Sequence, residues 1–94
     1  MGTTARVEKR FRYSLSGKIE ELSLSLIELL VMAKHAPKTL KAGYLIKAIG
    51  LLETVRLMLR LMLELGCAEE TAVFKLQEQA AETGRMLGGW LRSL

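Results

Sequence analysis

Apolar residues recur along this chain at intervals of three and four, and the pattern breaks at His35-Ala36-Pro37 and again at Gly66. That period marks amphipathic helices, so the two breaks predict three of them. The first is expected over residues 16–35, with Ile19, Leu22, Leu26, Leu29, Leu30 and Ala33 on one side. Ser14 and Ser16 offer capping oxygens, Glu20 and Glu21 stand near its positive end, Lys34 and His35 lie at its negative end, and Pro37 stops it. Leu22-Ser23-Leu24-Ser25-Leu26 alternates as a strand would, but the longer window favours the helix. The second helix is expected over 39–65, closed by Gly66 as a left-handed cap. The third is expected over 68–93, with Glu69 and Glu70 in its first turn and Val73, Leu76, Ala80, Met86 or Leu87, and Leu91 turned inward.

The second and third helices each carry an anomaly. On the second, Lys38, Lys41, Glu53, Arg56 and Arg60 share one arc, while Leu51, Leu52, Val55, Met58, Leu59, Met62 and Leu63 spread around most of the rest. A three-helix unit has too little interior for that surface, and an uncovered apolar face of this extent marks an interface. Lys47 stands apart from the other basic positions. On the third, Gly84, Gly88 and Gly89 precede or flank Trp90, and three glycines inside a helix cost about 3 kcal/mol against alanine. Ala80, Gly84 and Gly88 are four apart and form a smooth ridge, so Ala80, Gly84, Gly88 and Trp90 are the expected helix-packing or oligomer contacts.

A chain of 94 residues makes one domain near the lower size limit for a self-sufficient core. Leucine dominates the apolar set, which suits helices better than sheets. Residues 1–13 are polar and hold Arg6, Lys9, Arg10 and Arg12 against Glu8. They read as a basic arm ahead of a helical domain over 14–94. Cys67 is alone, which fits a reducing compartment and a small buried hydrophobe. His35 is also alone and the chain has no aspartate, so no metal site is expected. Glu28 interrupts one leucine-rich run, and Lys47, Glu53, Arg56 and Arg60 interrupt the other. Neither gives the roughly 20 apolar residues of a membrane span, and the start lacks a signal-peptide core and a myristoylation pattern. A soluble, cytoplasmic protein is expected, without membrane partner or small-molecule substrate.

No catalytic constellation emerges. The serines have one histidine between them, the glycines near the end follow no strand, and the Glu20-Glu21 and Glu69-Glu70 pairs are read as partners of helix dipoles. The expectation is a protein that is not an enzyme and carries no cofactor. Net charge is +4 and unevenly placed: the arm is basic, and residues 34–60 set Lys34, Lys38, Lys41, Lys47, Arg56 and Arg60 against Glu53. A solvated face and a nucleic-acid surface are both open readings of this surplus. On the second, phosphate contacts fall to Arg6, Lys9, Arg10, Arg12, Lys38, Lys41, Arg56 and Arg60, and repetition in an oligomer would multiply them. Among the aromatic residues, Tyr44 and Phe74 are expected in the core.

Three segments resemble a known family. Arg12-Tyr13-Ser14-Leu15-Ser16-Gly17-Lys18-Ile19-Glu20, the run from Leu52 to Leu61, and above all Gly84-Arg85-Met86-Leu87-Gly88-Gly89-Trp90-Leu91 are similar to the four-helix-bundle proteins that include Avd, the accessory variability determinant of diversity-generating retroelements. The closing motif is the specific one. The resemblance implies an all-α, up-down bundle of three long helices with a short basic arm or remnant first helix, the first helix of the family being shortened here. It further implies a homopentameric barrel that binds a reverse transcriptase and its template RNA or cDNA during mutagenic reverse transcription and does no chemistry itself. The same family includes proteins of ribosomal RNA intervening sequences, which gives the other expectation: a helical assembly module with no nucleic-acid role.

Overall fold

The computed structural model describes the backbone of residues 2–94 and the side chains of residues 10 and 12–94. Within them the chain is all-α. Helix α1 spans Gly2–His35, α2 Lys38–Glu64 and α3 Glu70–Arg92, each antiparallel to the one before.

The segment expected as an arm instead continues α1, which starts fourteen residues before the predicted boundary (16 − 2 = 14). No proline and no turn signal separates residues 3–16, and adding residues to a formed helix is far easier than nucleating one, so the helix runs through Ser14 and Ser16. Those serines therefore cap nothing. Glu20 and Glu21 likewise lie mid-helix, away from any helix start, and the Glu21 carboxylate pairs with Lys18 across 3.7 Å. At 1.5 Å per residue α1 is about 51 Å long, nearly the whole 56 Å length of the molecule. Leu15 already packs on Met62 and Cys67 at the far end of α2, so the backbone of residues 2–14 runs on past the body.

The second break behaves as its glycine predicts. Gly66 has φ +68°, which an L side chain adopts only with strain. Its N–H donates to the Leu63 carbonyl at 3.1 Å, and the Cys67 N–H donates to the Met62 carbonyl at 2.9 Å. This is the Schellman pairing, with its usual apolar contact supplied by Cys67 against Met62. Cys67 is accordingly buried, as expected of a small hydrophobe.

Helix α2 lies between the other two. Both α1 and α3 pack along it, and their backbones do not approach each other. One core cluster draws Ala33 from α1, Leu45, Ala48 and Leu52 from α2, and Ala80 and Leu87 from α3, with Trp90 and Leu91 half-buried beside them. A second joins Leu22 to Val55, Leu59 and Val73. Most of the expected inward stripes are realised, and Leu87, not Met86, takes the inner position on α3; Met86 is 66 % exposed. Phe74, expected in the core, is 56 % exposed, at the open edge between α3 and α2.

The glycine ridge is only partly a packing seam. Ala80 is buried, and a Cβ on Gly84 would lie 3.5 Å from Leu52 Cδ2, an ordinary contact. Gly88 faces no other helix: a Cβ there would meet Arg92 Nη1 at 3.3 Å, and one on Gly89 would meet Arg92 Nη2 at 4.0 Å. These two glycines leave bare backbone over which the Arg92 guanidinium folds.

The two kinds of glycine predict opposite mutational signs. Gly66→Ala should cost about 1 kcal/mol through left-handed strain. Gly84→Ala should gain up to about 1 kcal/mol from helix propensity, because the added methyl fits. Urea unfolding of both variants checks this; a loss for Gly84→Ala as large as that for Gly66→Ala would contradict the spacing at Leu52.

Candidate nucleic-acid interface

The basic side chains that share one arc on the helical wheel do not share one surface. Lys38 and Arg60 are 22 residues apart on α2 (60 − 38 = 22), which at 1.5 Å per residue is about 33 Å. The candidate phosphate ligands divide into three groups.

The first is at the extended end of α1. Arg10 and Arg12 are exposed there; the side chains of Arg6 and Lys9 lie outside the described residues. The second is in mid-body, where Arg56 and Arg60 border a groove between α2 and α3 of about 510 Å³, walled by Leu57, Leu63, Val73 and Phe74. Arg56 is engaged across the helix pair: its Nε donates to Gln77 Oε1 at 3.2 Å, Gln77 Nε2 donates back to the Arg56 carbonyl at 2.8 Å, and its Nη1 lies 3.5 Å from Glu53. Arg60 pairs with Glu64 at 3.4 Å. Arg56 thus ties α3 to α2, and both arginines have a carboxylate beside them, so this stretch of surface is close to neutral.

The third group is at the opposite end, where α1 finishes, α2 begins and α3 finishes. Here Lys41 serves the backbone. Its ammonium donates to the Ala33 carbonyl at 2.8 Å and the Lys34 carbonyl at 2.9 Å, closing the exposed C-terminal acceptors of α1. Lys38 is exposed and has no ion-pair partner among the described residues, and the same holds for Lys34, Lys47 and Arg92. Wheel projection overlooked Lys34, Lys47 and Arg92 as a group, because they belong to three helices. A linear signal was present: residues 29–52 and 83–94 contain no aspartate or glutamate.

Among the described residues no cluster of histidine, cysteine and acidic side chains is placed to hold a metal ion, no polar side chain is buried without a partner, and no helix is long and apolar enough to cross a membrane. Comparison of the chain with protein-family models, with curated proteins and with solved structures returns no match.

The bonds of Lys41 lead to a direct prediction. Lys41→Met keeps the aliphatic stem and removes the donor from two helix-end carbonyls, which should lower stability by about 1–2 kcal/mol. Urea midpoints of the variant and the wild type check this.

Proposed function

We propose that this protein is a noncatalytic helical scaffold that self-associates and serves a reverse transcriptase of the diversity-generating retroelement type, holding the polymerase and its template RNA or cDNA. The observation that carries the self-association is the unfinished bundle. With α1 and α3 apart, the outer face of α2 leaves Ile46, Leu57 and Leu61 in solvent, Leu57 by 65 %, and α1 adds Leu24, Ile27 and Val31. Exposed apolar side chains repeated along two helices mark a surface that another chain covers. The basic surplus and the resemblance of the Gly84 to Leu91 segment to the Avd family supply the nucleic-acid and polymerase parts of the reading, and a closed ring of five copies is the assembly that the family suggests.

A second reading has its own support. Lys41 and Arg56 are spent on helix ends and interhelical bonds, which fits an assembly module of the ribosomal RNA intervening-sequence type with no nucleic-acid role.

Native mass measurement and RNA titration separate the two. The proposed scaffold should appear as a multimer, and Leu57→Lys with Leu61→Lys should reduce it to a monomer that stays helical by circular dichroism. The multimer should bind RNA and pull down the reverse transcriptase encoded beside its gene. Capture of the polymerase without RNA affinity would favour the assembly module, and a monomeric wild-type protein would refute both.

A further inference from the structure

The closed end of the molecule gathers positive charge without neutralising it. Three helix termini meet there around Ala33, Leu45, Leu87 and Trp90, at one end of a body whose Cα cross-section is 20 × 13 Å. Lys34 comes from the last turn of α1, Lys38 from the first turn of α2 and Arg92 from the last turn of α3, and none forms an ion pair among the described residues. Lys47 stands nine residues beyond Lys38 (47 − 38 = 9), also exposed, about 14 Å further along α2.

The helix dipoles do not supply this sign. Two termini at this end are negative, and the bonds from Lys41 cover the carbonyls of α1. On α3, Ser93 Oγ donates to the Trp90 carbonyl at 2.7 Å and the Ser93 N–H to that of Gly89 at 3.1 Å, so those acceptors are also engaged. The one positive terminus, the start of α2, has Pro37 at its cap, no side-chain acceptor on its amides and no acid in its first turn. The bare backbone at Gly88 and Gly89, which gives no interhelical seam, lets Arg92 lie back over its own helix at this end.

We infer that this end, through Lys34, Lys38 and Arg92, is where the protein holds the phosphate backbone of RNA, and that the arginines of the α2–α3 groove are not. The assignment rests on the nucleic-acid reading proposed above. Toward phosphate, lysine acts as a mobile point charge and arginine as a fixed fork, and both serve nucleic-acid recognition. Two lysines and one arginine on three separate helices suit a flexible polyphosphate. The contact is electrostatic and blind to sequence.

The test is a salt titration of the intact protein with a fluorescein-labelled oligouridylate, followed by anisotropy. Removing three phosphate contacts on single-stranded RNA should flatten the slope of log affinity against log salt by about 2. The variant is Lys34→Gln, Lys38→Gln, Arg92→Gln; all three residues are exposed, and circular dichroism and the native mass should match wild type. The charge-preserving variant Lys34→Arg, Lys38→Arg, Arg92→Lys should restore the slope, and Arg56→Gln with Arg60→Gln should leave it unchanged. If the groove variant flattens the slope and the end variant does not, the assignment to this end falls while the nucleic-acid reading stands. No binding by the wild-type protein at any salt removes both. Poly-glutamate held as tightly as the RNA, with the same loss in the end variant, makes this an acidic-polypeptide site and overturns the inference.

Discussion

Helix α2 carries apolar side chains around more of its circumference than two neighbouring helices can cover, and the rest of the molecule follows from that excess. Its inner arc is filled: Leu45 and Ala48 are fully buried, and Leu52, Val55, Leu59 and Met62 nearly so, against α1 on one flank and α3 on the other. A third neighbour would close the bundle and cover Ile46, Leu57 and Leu61, but the chain has no further helix among the described residues to place there. Burial of apolar area is the main favourable term in folding, worth about 25 cal/mol per Å². A face that keeps such side chains in water forgoes that stabilisation.

Polar groups are handled locally, which leaves the packing between helices almost wholly apolar. No charged or polar residue is buried in the described part of the molecule. Among the described residues, Arg56 and Gln77 make the one side-chain hydrogen-bonded link between α2 and α3, and Lys41 makes the link from α2 to the end of α1. Both residues are basic, and both are drawn away from solvent duty by carbonyl and amide acceptors nearby. The surface charge that remains is sorted along the long axis. Carboxylates accompany the arginines in mid-body, while the end where the three helix termini meet has unpaired cations, so the uneven distribution in the sequence becomes more pronounced once the chain is folded.

What the sequence determined by itself was set by short-range physics. The 3.6-residue period specified three helices, Pro37 and Gly66 fixed the two breaks to within one or two residues, and Gly66 could be assigned its left-handed backbone because little else tolerates φ +68°. The excess of apolar positions on α2 was legible for the same reason, since a helix's own periodicity declares how many sides it must hide. The start of α1 was not legible: basic, polar residues 2–13 lack an apolar stripe strong enough to distinguish an arm from a helix extended by propagation.

What only the tertiary structure decided were the relations between helices. A helical wheel put Lys41, Arg56 and Arg60 with Lys38 on one basic arc, yet each answers to a different neighbour: the carbonyls of α1, Gln77 of α3, and Glu64 one turn on. Gly88 looked like part of a seam and instead makes room for Arg92, while Gly84 does meet Leu52. Lys34, Lys38 and Arg92 are far apart in sequence and come to one end because the helices alternate in direction around α2. Spacing along a chain fixes which side of a helix a residue occupies; which partner that side meets depends on where the other helices are packed.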